Sequence, residues 1–458
     1  MGKHFMSVLG VGPKDDYKTA NYKLDLKSTQ CCETKYIQEA LISFMFDSPL
    51  KADDKITVFT TEVSEQKQWA PNDKEGLKAI LEKKYPEKAP FKSVNIPSGK
   101  NNDELMQIFK IFYDSIEEGD KIIFDITHSF RSIPMFVLTV LCYARVLKNI
   151  TVEGIYYGAF EAAATDQDSL KPVPIFDMTM YMNIIDWSFA AQLMTDYGNA
   201  EMMCKLYEEQ KNLVNDDMKK QLAIFENPVK RLEEFTKCIQ TSRGKINDKS
   251  KKENSISKSY ERFLSSYEEA SHNNSPLIEP LAPLFEKVVE STKEFNTKSN
   301  LEIGLATIKW CIDKGFTQQG LTALDETIKT YVCVKFDLDE TNKTYREKIA
   351  KYALNLKAKD YNTSDIPSLI RDNYKNNEKD LNKCNIDIDN YCHSVQRLVV
   401  NIENKVSDVS KDITDYRNDI NHFGFSAQPY TYNILQKKLK DGYEKIFDII
   451  QNDKTLSK

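Results

Sequence analysis

Two regimes of apolar spacing divide the chain near residue 182. Before that point, short apolar runs alternate with stretches of three-four spacing. FMSVLG (5–10), DKITVFTT (54–61), FKSVNIP (91–97), DKIIFDIT (120–127), VEGIYYGAF (152–160) and PVPIFDM (172–178) read as strands. Between them, ETKYIQEALISFMF (33–46), DKEGLKAILEKKY (73–85), DELMQIFKIFYDSI (103–116) and PMFVLTVLCYARVL (134–147) read as helices. This alternation predicts an α/β, Rossmann-like domain with a mostly parallel sheet covered on both faces. After residue 182 the strand signals fade, and Leu301, Ile303, Leu305, Ile308 and Ile312 recur at helical spacing, so the remainder is predicted to be all-α. The polar, turn-rich stretch TSRGKINDKSKKENSISKSYE (241–261) predicts an exposed loop or a break between helical subdomains.

The stretch KIIFDITHSFRSIP (121–134) takes an apolar strand straight into hydrogen-bonding side chains. In the usual doubly wound order, the first and fourth strands are central neighbours, and ligands bind beyond their carboxyl ends. The first strand ends in Gly10-Val11-Gly12 and the fourth in Thr127-His128-Ser129, with Arg131 two residues on. Glycines allow close backbone approach, and the second loop offers hydroxyl, imidazole and amide groups ahead of a helix N-terminus. Together they suit an anion or nucleotide. The plainer alternative is that Thr127 and Ser129 cap the helix and His128 is a structural histidine. Asp125, inside an apolar run, requires donors, with backbone amides or adjacent loops as their source. Because a third glycine and an acidic ribose ligand are missing, a hydride-transferring dinucleotide site ranks last. The segment PKDDYKTANYKLDLKSTQCC (13–32) reads as an inserted hairpin that borders the ligand, and Cys31-Cys32 within it as ordinary thiols.

A second constellation lies in VSDVSKDITDYRNDINHFGF (406–425). Val406, Val409, Ile413, Tyr416 and Ile420 form one apolar stripe of a helix that Gly424 would stop. Arg417 and His422, the one R-x4-H pair in the chain, stand off that stripe. Their directions differ by roughly 140° on an ideal helix, so a bend or a second copy of the helix would be needed for both to meet one target. Histidine can move a proton at an RNA 2'-hydroxyl or leaving oxygen, and arginine can stabilise charge on a phosphate in the transition state. RNA carries its own nucleophile, so this chemistry requires no metal. Asn418 could orient either group. The alternative for the pair is a surface arginine beside a capping histidine.

Composition narrows these readings. At 458 residues the chain accommodates two or three domains, and its net charge of −6 argues against a broad duplex-binding surface. Nine cysteines contain no C-x-x-C pair, no apolar run reaches the length of a membrane span, and no signal segment precedes the first strand. A cytoplasmic protein without structural metal, cofactor or membrane anchor is expected.

With these residues in view, the chain resembles the CARF–HEPN ribonucleases of type III CRISPR systems. DITHSFRSIP is similar to that family's D-x-T-H-G signature, and RNDINH matches its R-x4-H motif with a polar second residue. LGVG, ETKYIQEAL and IKWCIDKGFTQQGLTALDETI (308–328) add support, the last resembling the first long helical hairpin of such HEPN domains. The resemblance implies a CARF ligand-sensing domain over 1–182, a helical connecting region over 183–299 and a HEPN ribonuclease domain over 300–458. It implies a homodimer, activated by cyclic oligoadenylate, that cuts single-stranded RNA in antiviral defence at a composite site from two subunits. Arg417 and His422 would be catalytic with Asn418 supporting, and Gly10, Gly12, Thr127, His128, Ser129 and Arg131 would line the ligand loop. Ser129 departs from the signature's glycine, which bears on ring-size preference and on any cleavage of the activator. The competing expectation is a sensing protein whose helical part binds a partner and whose R-x4-H pair is inert.

Overall fold

The computed structural model describes residues 2–12, 17–26, 29–128, 133–163, 172–213, 216–245, 254–272, 279–359, 361 and 364–456. They divide into two compact units, Met1–Ile185 and Asp186–Lys458.

The first unit is built on an eight-stranded sheet: β1 (Lys3–Leu9), β2 (Ala20–Lys23), β3 (Cys32–Thr34), β4 (Lys55–Thr60), β5 (Ser93–Asn95), β6 (Lys121–Asp125), β7 (Thr151–Gly158) and β8 (Pro172–Asp177), in the order β3-β2-β8-β7-β6-β1-β4-β5. All six strands expected from the apolar runs are present. From β5 to β7 the pairing is parallel, as the alternation of strands and helices requires. β1 sits between β4 and β6, so the first and fourth of the expected strands are indeed neighbours. Its side chains alternate: Phe5 and Leu9 join the core beneath α1 (Ile37–Met45) and α2 (Leu77–Lys84), while Met6 and Val8 join the core beneath α3 (Asn102–Asp114) and α4 (Ile133–Lys148). The expected hairpin takes the form of antiparallel β2 and β3, with β2 extending the sheet in parallel beside β8. Cys31 and Cys32 are both free thiols.

The division between the units falls inside α5 (Thr179–Tyr197). In the second unit, every regular element among the described residues is helical. The longer ones are α6 (Glu201–Leu213), α7 (Glu226–Gln240), α8 (Ile256–Ser271), α9 (Ala282–Thr292), α10 (Asn300–Lys314), α11 (Thr317–Lys335), α12 (Lys351–Ala358), α13 (Ile366–Asn382), α14 (Ile388–Asn401), α15 (Asn404–Asn421) and α16 (Tyr432–Asn452). The loop expected over 241–261 is shorter than its polarity suggested. Ser255 accepts a hydrogen bond from the Lys258 amide at 3.3 Å and starts α8, so 256–261 is helical, and 246–253 lies outside the described residues. α10 and α11 form a hairpin broken at Gly315, whose φ of +75° is a left-handed stop. One side of α10 (Ile303, Trp310, Cys311) packs into the core made with α5 to α9, and the other (Leu301, Leu305, Ile308) into the core made with α11 to α16.

Candidate functional sites

In the first unit the loops after β1 and β6 meet closely. A Cβ on Gly10 would lie 2.8 Å from the His128 carbonyl oxygen and 3.3 Å from the Tyr17 hydroxyl, so only glycine fits. Gly12, with φ +83°, adopts a left-handed backbone conformation that favours glycine. The Val11 carbonyl between them accepts from Gln68 Nε2 at 2.7 Å, and the Tyr36 hydroxyl in turn donates to Gln68 Oε1 at 3.0 Å. This glycine loop is therefore braced from the fold's interior.

Asp125 is wholly buried at the end of β6. Ser7 donates to its Oδ2 at 2.7 Å, Gln38 Nε2 to the same oxygen at 3.3 Å, and the Thr127 hydroxyl and amide to Oδ1 at 2.6 and 3.0 Å. Burial raises its pKa, while the Thr127 and Ser7 hydrogen bonds oppose that shift. Thr127 thus commits its proton to Asp125, and its oxygen also accepts from the Gly158 amide at 2.8 Å. His128 lies with its ring 4.2 Å from that of Tyr17 and tilted by 33°. Its Nε2 is closed off without a hydrogen-bond partner among the described residues. Burial pushes the imidazole pKa down to about 4, so the ring is neutral at physiological pH. Ser129 and Arg131 lie outside the described residues.

The second site surrounds the end of α15. Arg417 extends from α15 to α11, where its Nη1 pairs with Asp325 Oδ2 and approaches Glu326 Oε1 at 4.0 Å. Asp325 is 3% exposed, and its Oδ1 is 3.4 Å from the Thr414 hydroxyl. Beneath it Lys329, 2% exposed, reaches Asp325 at 3.3 Å, Glu326 at 2.6 Å and Glu347 at 2.9 Å. Arg346 then binds Glu326 at 2.6 Å. The attraction of these cations outweighs burial and lowers the pKa of Glu326 and Glu347. A cavity of about 370 Å³ opens beside the network, with Glu326, Arg346 and Glu347 in its wall. Asn418 and His422 are exposed, and His422 is the residue on which α15 ends. The helix is stopped by two residues rather than one, Phe423 at φ +57° and Gly424 at φ +69°.

The sequence reading did not single out Tyr17, Gln38, Gln68, Asp325 or Lys329. A signal existed for the last two: Leu321, Leu324, Asp325, Ile328, Lys329 and Val332 share one face of α11, so both charges interrupt an apolar stripe. Among the described residues, no group of three or more histidine, cysteine or acidic side chains could hold a metal ion, and no helix is long and apolar enough to cross a membrane.

Residues 5–161 match the family model described as "CRISPR system endoribonuclease Csx1, CARF domain". The chain is also 29% identical over 252 residues to a protein of Methanocaldococcus jannaschii described as "CRISPR-associated protein MJ1674". That alignment spans 54% of this chain and only 35% of the relative's length.

Proposed function

From the premise that this is a CARF-containing, type III CRISPR-associated protein, we propose that it is an endoribonuclease switched on by a cyclic oligoadenylate. The activator would sit on the loops after β1 and β6. Gly10 lets the loops after β1 and β6 close on each other, Gly12 would turn backbone towards its phosphates, His128 would line the loop with a neutral imidazole whose Nε2 is shielded, and Thr127 holds the loop in shape through Asp125. Ser129 and Arg131 complete the proposed ligand set.

Cleavage is assigned to Arg417 and His422, with Asn418 orienting. In this reaction the RNA 2'-oxygen attacks the neighbouring phosphorus, the bond to the 5'-oxygen breaks, and a 2',3'-cyclic phosphate results. Histidine takes the 2'-hydroxyl proton or returns one to the leaving oxygen. Arginine, held by Asp325, meets the charge that accumulates on the phosphate. The observation that carries this reading is the pairing of a cation anchored on a buried carboxylate with an exposed histidine five residues later at the same helix end. Because the two lie roughly 140° apart on an ideal helix, the working site would be a composite of two subunits in a homodimer, with single-stranded RNA between them.

The test is cleavage of a fluorescent single-stranded RNA in EDTA, with cyclic tri-, tetra- or hexa-adenylate, by the full chain beside His422→Ala. Cutting that depends on one ring and on His422 supports the assignment. Tight ring binding without cutting would leave a sensing protein whose helical unit engages a partner.

A further inference from the structure

The cavity of about 370 Å³ in the second unit has no part in the chemistry proposed above. It opens between α10, α11, the turn after α7 and the segment joining α11 to α12. Burial separates its floor from its mouth. Thr307, Thr327 and Thr330 are 4%, 3% and 5% exposed, whereas Lys245 and Lys343 are open to solvent. The floor hydroxyls have given their protons away: Thr307 to the Ile303 carbonyl at 2.7 Å, Thr327 to the Ala323 carbonyl at 2.7 Å and Thr330 to the Glu326 carbonyl at 3.0 Å. The Thr330 oxygen also accepts from Arg346 at 2.8 Å, so Thr307 and Thr327 keep lone pairs for a ligand. Carboxylates in the wall add more acceptors, and Glu340 Oε1 is held only by a long contact of 3.4 Å from Asn300 Nδ2. The interior therefore asks for O–H and N–H donors.

The mouth has the opposite character. Glu326 and Glu347 are already answered by Lys329, Arg346 and Lys351. The Lys343 ammonium has no ion-pair partner among the described residues, and Lys245 stands within the field of Asp339. The turn that carries Lys245 is tied to α8 where the Ile256 amide donates to the Arg243 carbonyl at 2.9 Å. We propose that this cavity binds a phosphorylated ribose, as in a nucleoside monophosphate. The phosphate meets Lys245 and Lys343, and the sugar hydroxyls donate to the acceptors within. Its volume lies near the lower end for small-ligand pockets, so it takes one nucleotide and not a ring of several. A polyamine fits worse, because its charges would meet unanswered lysines before reaching carboxylates that are already paired. Binding here is independent of the nuclease reading.

The experiment is calorimetric titration of the full chain with AMP, UMP, ribose 5-phosphate, adenosine and inorganic phosphate. AMP and UMP should bind, and adenosine and phosphate should bind about tenfold more weakly or worse, because each lacks half of the recognised chemistry. Ribose 5-phosphate matching AMP would assign the site to sugar phosphates, and a weaker response would assign it to nucleotides. Lys343→Glu, at an exposed position, should weaken AMP binding about tenfold or more. Thr322→Trp, which fills the cavity from α11, should abolish it, with circular dichroism confirming that the variant folds. AMP binding that survives Lys343→Glu would overturn the proposal, as would phosphate alone binding as tightly as AMP, or no binding of AMP, UMP and ribose 5-phosphate.

Discussion

Arg417 and Asp325 are ion-paired from α15 to α11, with the Asp325 carboxylate buried and the guanidinium at the surface edge. The pair is the outer end of a chain of contacts that includes Lys329, Glu326, Arg346 and Glu347, three anions against three cations. Such a cluster tolerates loss of an outer member better than loss of its centre, because Lys329 alone contacts three carboxylates and does so almost fully buried. The arginine of the proposed nuclease site is therefore positioned by the core of its own subunit.

Lys329→Met should be the most damaging change in this cluster. It removes the shared cation of three carboxylates and should cost about 3–5 kcal/mol. Arg417→Ala leaves Asp325 with Lys329 and should cost roughly 1–2 kcal/mol. Denaturant unfolding of both variants checks the order. Equal losses would mean the contacts do not form one network.

Arg417→Lys separates charge from geometry. The lysine can still reach Asp325, so unfolding should stay within about 1 kcal/mol of the parent. Cleavage should fall by roughly 100-fold or more, because an ammonium lacks the planar donor array that meets phosphate oxygens. Retained cleavage would remove Arg417 from the proposed catalytic pair.

Several of these relationships were legible in the sequence. Six strands followed from apolar runs, because a parallel sheet buried on both faces leaves continuous Val, Ile and Phe stretches, and the β1–β6 crevice followed from the usual doubly wound order. The need of Asp125 for donors was equally readable. Its donors were not: Gln38 comes from α1 and Ser7 from β1, and three-dimensional packing alone brings them to one carboxylate. Tyr17 escaped for a similar reason, since its contact with His128 links two loops distant in sequence. At the other site the R-x4-H spacing was visible, but the direction of Arg417 depends on a partner 92 residues earlier.

Asp125→Ala should destabilise the first unit by about 2–3 kcal/mol, because Ser7, Gln38 and Thr127 lose a buried acceptor. Asp125→Asn should cost under about 1 kcal/mol. Its carbonyl can keep the Thr127 bonds, and its amide can face Gln38 once that side chain turns its unpartnered Oε1 inward. Urea unfolding of the two variants is the measurement, and equal losses would show that the charge itself is required.

His128 should make folding pH-dependent with a defined sign. Its pKa falls from an ordinary 6.5 to about 4 in the folded chain, so between those values the unfolded state binds more protons. The stability it contributes is complete above pH 6.5 and declines as pH falls towards 4, by at most about 1.4 kcal/mol per pH unit. Below 4 both states are protonated and no further loss follows. His4, whose pKa burial also lowers despite its contact with Asp120, adds a decline of the same sign. The informative quantity is thus the difference between the parent chain and His128→Gln, which should shrink as pH is lowered from 7 to 4.5. A difference constant over that range would mean that the His128 imidazole protonates freely where it sits. In that case the loop after β6 would present a cation to an incoming phosphate at mildly acid pH, where the neutral ring described above carries no charge.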